Sequence, residues 1–385
     1  MTKPFIPAVA VLAVVLAACG GSAAPASVAA PSSAPAASPK PSSAAPAQTA
    51  SGATAASAKP ASSASVSASA AASVGQVTVR AGVLGIVPDA PIFIGIERGY
   101  YADQGIKVET TKFTTAGDMI APLAAGQLEV GLGTPGAGLF NAITRDVPIR
   151  VVGDNSRVAP GKSHLALLKR KDNTSLNDYA DLKGKKVSIN APAGGPEVEL
   201  SRALAKGNLT FKDIDLKDVP FPDVNTALVN KSIDAGFNLE PFATLGIEKN
   251  DLAVFKYVGD FYPNDQVAVL LYSPKMVQNK DLATKFMIGY VKGLRDYYNA
   301  FFKNQDKAGV VQILAKDTAV KDPTLYDKMV SHVIDPNGGI NLDSLTYDLN
   351  YFVESGSVKQ KPDLKEVVDL SFVDAAGAKL GKAAA

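Results

Sequence analysis

The side chains able to do chemistry are few, and their spacing argues against most reactions. His164 stands in an apolar, strand-like run and His332 near the end of a helical pattern, too far apart in sequence to suggest a metal motif. A single cysteine, Cys19, excludes an internal disulfide and any multi-thiolate zinc site. There is no Gly-x-Ser-x-Gly elbow for a serine nucleophile. No catalytic residue, metal or cofactor is called for. A net charge of +2 over 385 residues excludes a strongly basic nucleic-acid binder, and the Lys183-Gly184-Lys185-Lys186 cluster, with no aromatics interleaved, reads as a solvated turn.

What remains is binding chemistry in three glycine-bearing loops, 85–91, 131–138 and 190–196. Glycine lets a backbone approach a ligand closely, and unpaired amides at a helix start favour a polar or anionic group. Gly136, Gly194 and Gly195 fall in these loops, whose other reading is ordinary βα punctuation. None of the three matches a P-loop, and none places a dinucleotide fingerprint where such a site needs it. Glu240, before Pro241 at the close of a strand, either caps the next helix or accepts a hydrogen bond from a ligand. Arg157 either clamps an anion or is a solvated loop residue. Phe93, Phe261 and Tyr262 either line a cleft or pack in the core.

Such loops need a scaffold, and the pattern supplies one. Strand-like runs over 77–84, 106–113, 128–133 and 149–153 alternate with helical stretches over 91–101, 116–125 and 135–145. The same grammar restarts after 169–172, with strands over 185–190, 214–220 and 233–239, and helices dominate from Pro274 onward. Alternation of this kind predicts parallel-rich sheets flanked by helices, in two α/β lobes with the second inserted into the first. The expected boundaries are 76–168 for the first part of lobe 1, 169–265 for lobe 2 and 266–385 for the return to lobe 1 with the C-terminal helices. Ligands in open parallel sheets sit outside the carboxyl ends of the strands, where these loops fall.

The first 75 residues are of another kind. Lys3, an apolar run from Phe5 to Ala18 and small residues before Cys19 read as a signal peptide over 1–18. Leu16-Ala17-Ala18-Cys19 resembles the lipobox of bacterial lipoproteins, which implies a lipidated Cys19. Residues 22–75 are almost wholly Ala, Ser, Pro, Gly and Thr. Such composition buries too little to offset backbone entropy of ~1 to 2 kcal/mol per residue, so 19–75 are expected to be a disordered tether. The expected location is the outer face of the cytoplasmic membrane, held by the lipid.

The stretch Ala90-Pro91-Ile92-Phe93-Ile94-Gly95-Ile96-Glu97-Arg98-Gly99-Tyr100-Tyr101 with Gly105-Ile106-Lys107-Val108-Glu109 resembles the opening of a known family. That family is the substrate-binding proteins of importers for nitrate, sulfonates, taurine and thiamine precursors. Ala125 to Gly131, Leu182 to Val187, and Ala227-Leu228 through Ile233-Asp234-Ala235 are similar to its later motifs in the same order. The resemblance implies a two-lobe periplasmic-binding-protein type II (Venus flytrap) fold with two crossovers. It carries Asp89, Thr134, Pro135, Gly194, Gly195 and Glu240 over as cleft residues. It further implies a monomeric receptor that hands a small molecule to the permease subunits of an ABC importer. Two departures stand out: Asn230-Lys231-Ser232 replaces a usual glycine, and there is no Trp to sandwich a ring. An aromatic or thiamine-precursor pyrimidine ligand would rely on Phe or Tyr. An enzyme on the same fold, or a sensory or adhesive lipoprotein, are the competing readings. The pyrimidine-synthesising relatives use a Cys-rich signature that is absent here.

Overall fold

The computed structural model describes residues 76–384. The expected signal peptide, Cys19 and the tether lie outside them.

Short apolar runs punctuated by Gly and Pro fold in the order β1 (Val77–Val83), α1 (Ala90–Glu97), β2 (Ile106–Lys112), α2 (Ile120–Ala124), β3 (Val130–Gly133), α3 (Ala137–Ile143) and β4 (Arg150–Ser156). Then come β5 (Gly161–Arg170), β6 (Lys186–Ile189), α4 (Gly195–Lys206), β7 (Asp215–Asp218), α5 (Phe221–Val229), β8 (Ala235–Leu239), α6 (Phe242–Glu248) and β9 (Leu252–Gly259). The chain returns through β10 (Ala268–Tyr272) and ends in α7 (Pro274–Gln278), α8 (Lys280–Phe302), α9 (Lys307–Asp317), α10 (Leu342–Glu354), α11 (Leu364–Val367) and α12 (Ser371–Leu380).

Two five-stranded sheets result, ordered β2-β1-β3-β10-β4 and β7-β6-β8-β5-β9. Both are mixed. β1 runs parallel to β2 and β3, and β6 parallel to β7 and β8, whereas β10 and β5 lie antiparallel to both of their neighbours. These two are the strands that enter each sheet from the other lobe, so they arrive running backwards. The first crossover falls between Ser156 and Gly161, ahead of the expected 168/169 boundary, because Leu165–Lys169 pair with β8. The second spans Gly259 to Ala268 and contains the expected 265/266 boundary.

The central strands β3, β8 and β10 are buried along their whole length, as expected where helices cover both faces. In the first lobe α8 carries an apolar stripe of Phe286, Tyr290, Leu294 and Tyr297, all fully buried. Asn279 caps its start by accepting from Leu282 N. Gly293 is required where α8 meets α1, since a Cβ there would lie 2.2 Å from the Pro91 carbonyl oxygen. A continuous buried cluster joins the lobes, running from Leu139 of α3 through Leu345 and Phe352 of α10 to Val198 and Leu204 of α4.

The crossovers are tied by a buried polar network centred on Gln266. Its Nε2 donates to Asp154 Oδ1 at 2.7 Å and to the Ala268 carbonyl at 2.9 Å, and its Oε1 accepts from Asn341 N at 2.7 Å. Asp154 Oδ2 accepts from Asp335 N at 2.6 Å. Arg157 joins this hinge, with Nε 3.4 Å from Asp154 Oδ2 and Nη2 donating to the Gly339 carbonyl.

Candidate functional site

A cavity of about 280 Å³ lies between the lobes, just under the roughly 300–1,000 Å³ usual for small-molecule sites. Its walls are the turns at the carboxyl ends of β1, β2, β3 and β6, the starts of α2 and α5, the end of β8, Asn155 of β4, His164 and Leu165 of β5, and Val267 with Ala268 at the entry to β10. The lining is mostly apolar, with Leu84, Ile86, Leu132, Leu165 and Leu239 among it, and it contains no Lys or Arg. Among the described residues no group of three or more His, Cys, Asp or Glu could hold a metal ion, and no helix is long and apolar enough to cross a membrane.

The glycine-bearing turns of the two lobes touch across the mouth of this cavity. Ala137 N, at the start of α3, donates to the Ala193 carbonyl of the β6–α4 turn at 3.0 Å. A Cβ on Gly136 would sit 2.9 Å from that same oxygen, and one on Gly195 would sit 2.5 Å from Thr134 Cγ2. Asp89 lines the cavity while shaping its own turn: Oδ2 accepts from the backbone N–H of Leu84, Gly85 and Ile86 at 3.0, 2.7 and 3.1 Å. Burial pushes its pKa up to about 7, although the three amides favour the ionised form.

Three buried polar atoms of cavity-lining residues have no hydrogen-bond partner: His164 Nδ1, Asn190 Oδ1 and Glu199 Oε2. Natively folded chains pair the large majority of such atoms, so these three lining atoms are open to a partner from outside the chain, water or ligand. Two of the three are acceptors; His164 holds Ser156 Oγ at 3.2 Å through Nε2. Burial pushes the His164 pKa down to about 3, which keeps the ring neutral.

Glu199 is pushed up to about 7, mainly by burial and also by the Asp348 carboxylate, against a hydrogen bond with Asp265. A carboxyl raised in the folded state lends stability that is complete below its unfolded pKa near 4.3 and is lost as pH rises through 7. The Glu199→Gln variant stays uncharged throughout. It should therefore melt about 5 °C above the parent at pH 8, the gap closing toward pH 4.5. A melting difference that does not change with pH would contradict this.

Of the residues singled out in the sequence, Asp89, Thr134, Gly136, Gly194 and Gly195 line the cavity. The others sit elsewhere. Phe93 packs into the core on α1, and Pro135 is outside the lining between two residues that belong to it. Arg157 braces the hinge. Glu240 caps α6, its Oε2 accepting from Thr244 N at 3.0 Å and its Oε1 from Val330 N at 3.2 Å. Tyr262 donates to Asp348 Oδ1 at 2.7 Å, with the Arg202 guanidinium 4.0 Å above its ring. Sequence reasoning passed over Asn155, Asn190 and Glu199 as individual site residues and took from His164 only that its spacing from His332 suggests no metal motif. For Glu199 a signal existed: with Pro196 and Ala203 it lies on the buried stripe of α4, where a carboxylate is out of place.

A protein of Brucella abortus (strain 2308), named as a binding protein, is 25% identical over 211 residues, 54% of this chain and 62% of that one. The chain thus spans under two thirds of that relative's length. A Schizosaccharomyces pombe protein named as a 4-amino-5-hydroxymethyl-2-methylpyrimidine phosphate synthase is 26% identical over 159 residues, 41% of this chain and 43% of that one. The solved structure of the periplasmic aliphatic sulphonate binding protein SsuA from Escherichia coli superposes with a TM-score of 0.60 at 17% identity, over 77% of this chain and 99% of that one. It shares the two-lobe periplasmic-binding-protein fold. The family model described as NMT1/THI5 like matches residues 89–301. That span is more than half of the chain and holds both crossovers and nearly all of the cavity wall, so the chain belongs to the NMT1/THI5-like family.

Proposed function

We propose that this protein is a solute-binding receptor of an ABC importer, exported and held at the outer face of the cytoplasmic membrane by a lipid on Cys19. Residues 19–75 serve as its tether. It acts as a monomer, captures one small molecule between its lobes and presents it to the permease subunits. The observation that carries the reading is the set of three unpartnered polar atoms on the wall of an interlobe cavity. A guest touching both lobes favours the closed state by its differential affinity, which is how such a receptor signals occupancy. No Ser, Cys, Lys or Tyr stands in the lining, and the single cysteine leaves no Cys-rich signature, which supports a receptor over a synthase.

The lining also bears on the ligand. A sulfonate, nitrate or taurine would be received without any Lys or Arg, on a wall whose free atoms are largely acceptors. A compact, largely apolar molecule with hydrogen-bond donors, such as an aromatic or pyrimidine compound, fits better. A thermal-shift screen of the full chain against sulfonates, nitrate, carboxylates, amines and pyrimidines tests this. A compound bound at 100 times its Kd adds about 2.7 kcal/mol to stability. Stabilisation by at least one donor-bearing compound, together with its uptake by vesicles holding the cognate permease, is expected. A screen with no stabilising compound would remove the receptor reading, and binding without uptake would favour a sensory role.

A further inference from the structure

We propose that Glu199 selects the ligand: its carboxyl accepts an N–H from a cationic nitrogen, while Asp265 holds that carboxyl against the second crossover. The inference rests on the receptor reading and deepens it.

Glu199 is only 1% exposed yet lines the cavity, and its buried Oε2 has no partner. The Asp265 carboxyl lies beside it, and the two perturb each other's pKa. Two carboxyls hold together only by sharing a proton, since neither is otherwise a donor. Asp265 accepts from Ser344 Oγ at 3.0 Å, and burial together with the Glu199 carboxyl raises its pKa well above the ordinary carboxylate range. Ionised, Glu199 presents acceptor oxygens to a space with no Lys or Arg in its lining. The groups facing the pair are the Asp348 carboxyl and Tyr262 hydroxyl on one side, and Arg202 one turn along α4. Arg202 is engaged over the Tyr262 and Tyr347 rings at 4.0 and 4.3 Å. His164 completes the wall as a neutral ring.

A buried carboxylate in such surroundings is satisfied best by a donor that also brings positive charge, an ammonium or amidinium group on a compact apolar body. Below pH 7 Glu199 must first lose its own proton, so each ligand bound releases one proton to solvent. Because Asp265 lies on the crossover and Ser344 on α10, the ligand's nitrogen is joined to the hinge through two side chains.

Calorimetry with benzamidine, its neutral isostere benzamide, and benzenesulfonate tests the inference on the full chain. Benzamidine is expected to bind at least ten-fold more tightly than benzamide at pH 8, and its affinity should fall about ten-fold at pH 6. Glu199→Gln should abolish both the preference for benzamidine over benzamide and the pH dependence. The two-compound comparison in the parent needs no variant, so a poorly folding Glu199→Gln would not blunt it. A preference that survives in Glu199→Gln, or benzenesulfonate binding more tightly than benzamidine, overturns the inference. If benzamidine does not bind but another compound of the screen does, the inference falls and the receptor reading stands. If nothing binds, both fall.

Discussion

Replacing Gln266 by Leu should lower the melting temperature by roughly 10 °C, the largest effect expected of any single substitution at the hinge. Leucine keeps most of the volume but removes the amide that serves both crossovers. Asp154 Oδ1 loses its donor inside the core, and Asn341 N, on a half-buried residue, loses its acceptor. Each buried group left unmade costs about 1–3 kcal/mol, more when it is charged, so a total of roughly 3–5 kcal/mol follows. Part of the loss is relieved because burial and the nearby Asp335 carboxylate already push Asp154 up to about 6. Thermal melting followed by circular dichroism checks the value, and a shift of less than 2 °C would show that the network contributes little.

That network illustrates what the sequence could not convey. Alternating strands and helices were legible because each rests on local patterning. Helices expected from Pro274 onward include the long α8 at Lys280–Phe302, and the glycine-bearing turns were placed where the cavity opens. Sheet membership was not legible for β5, whose run Gly161–Arg170 reads the same whether it pairs with β4 or with β8. Only partners some 70 residues away decide it. Glu240 shows the same limit on a single side chain. It stands at a strand end, where a ligand contact is plausible, but one of its oxygens is used by Val330 N, which sequence adjacency could not bring there. Arg157 looked free for an anion because Asp154, Asp335 and Gly339 converge on it only in the folded hinge. Conversely, Glu199 gains its meaning from Asp265, a partner in another element.

Gly136→Val should weaken binding of whichever compound the screen identifies by at least ten-fold, about 1.4 kcal/mol, while the unliganded protein melts within 2 °C of the parent. The glycine adopts an extended backbone open to any residue, so the substitution imposes no conformational strain of its own. Its effect comes from what a side chain meets. Already the first carbon would press on the Ala193 carbonyl oxygen at 2.9 Å, with Gly194 Cα at 3.4 Å behind it. These are backbone atoms of the opposite lobe and cannot swing aside as a flexible side chain would. The lobes are then wedged apart, and the closed state loses part of the affinity that contact with both halves supplies. Calorimetry and melting measured on one preparation separate the two effects. Undiminished affinity would mean that the lobes need not approach this closely to hold the ligand.

The bond from Ala137 N to the Ala193 oxygen has a consequence for how the cavity could change what it holds under the proposed role. Its donor and acceptor are peptide groups, which every residue other than proline provides. Mutations that reshape Glu199, Asn190 or the leucines around them can therefore alter what the cavity accepts without unfastening the latch, leaving selectivity free to drift while the clasp stays intact.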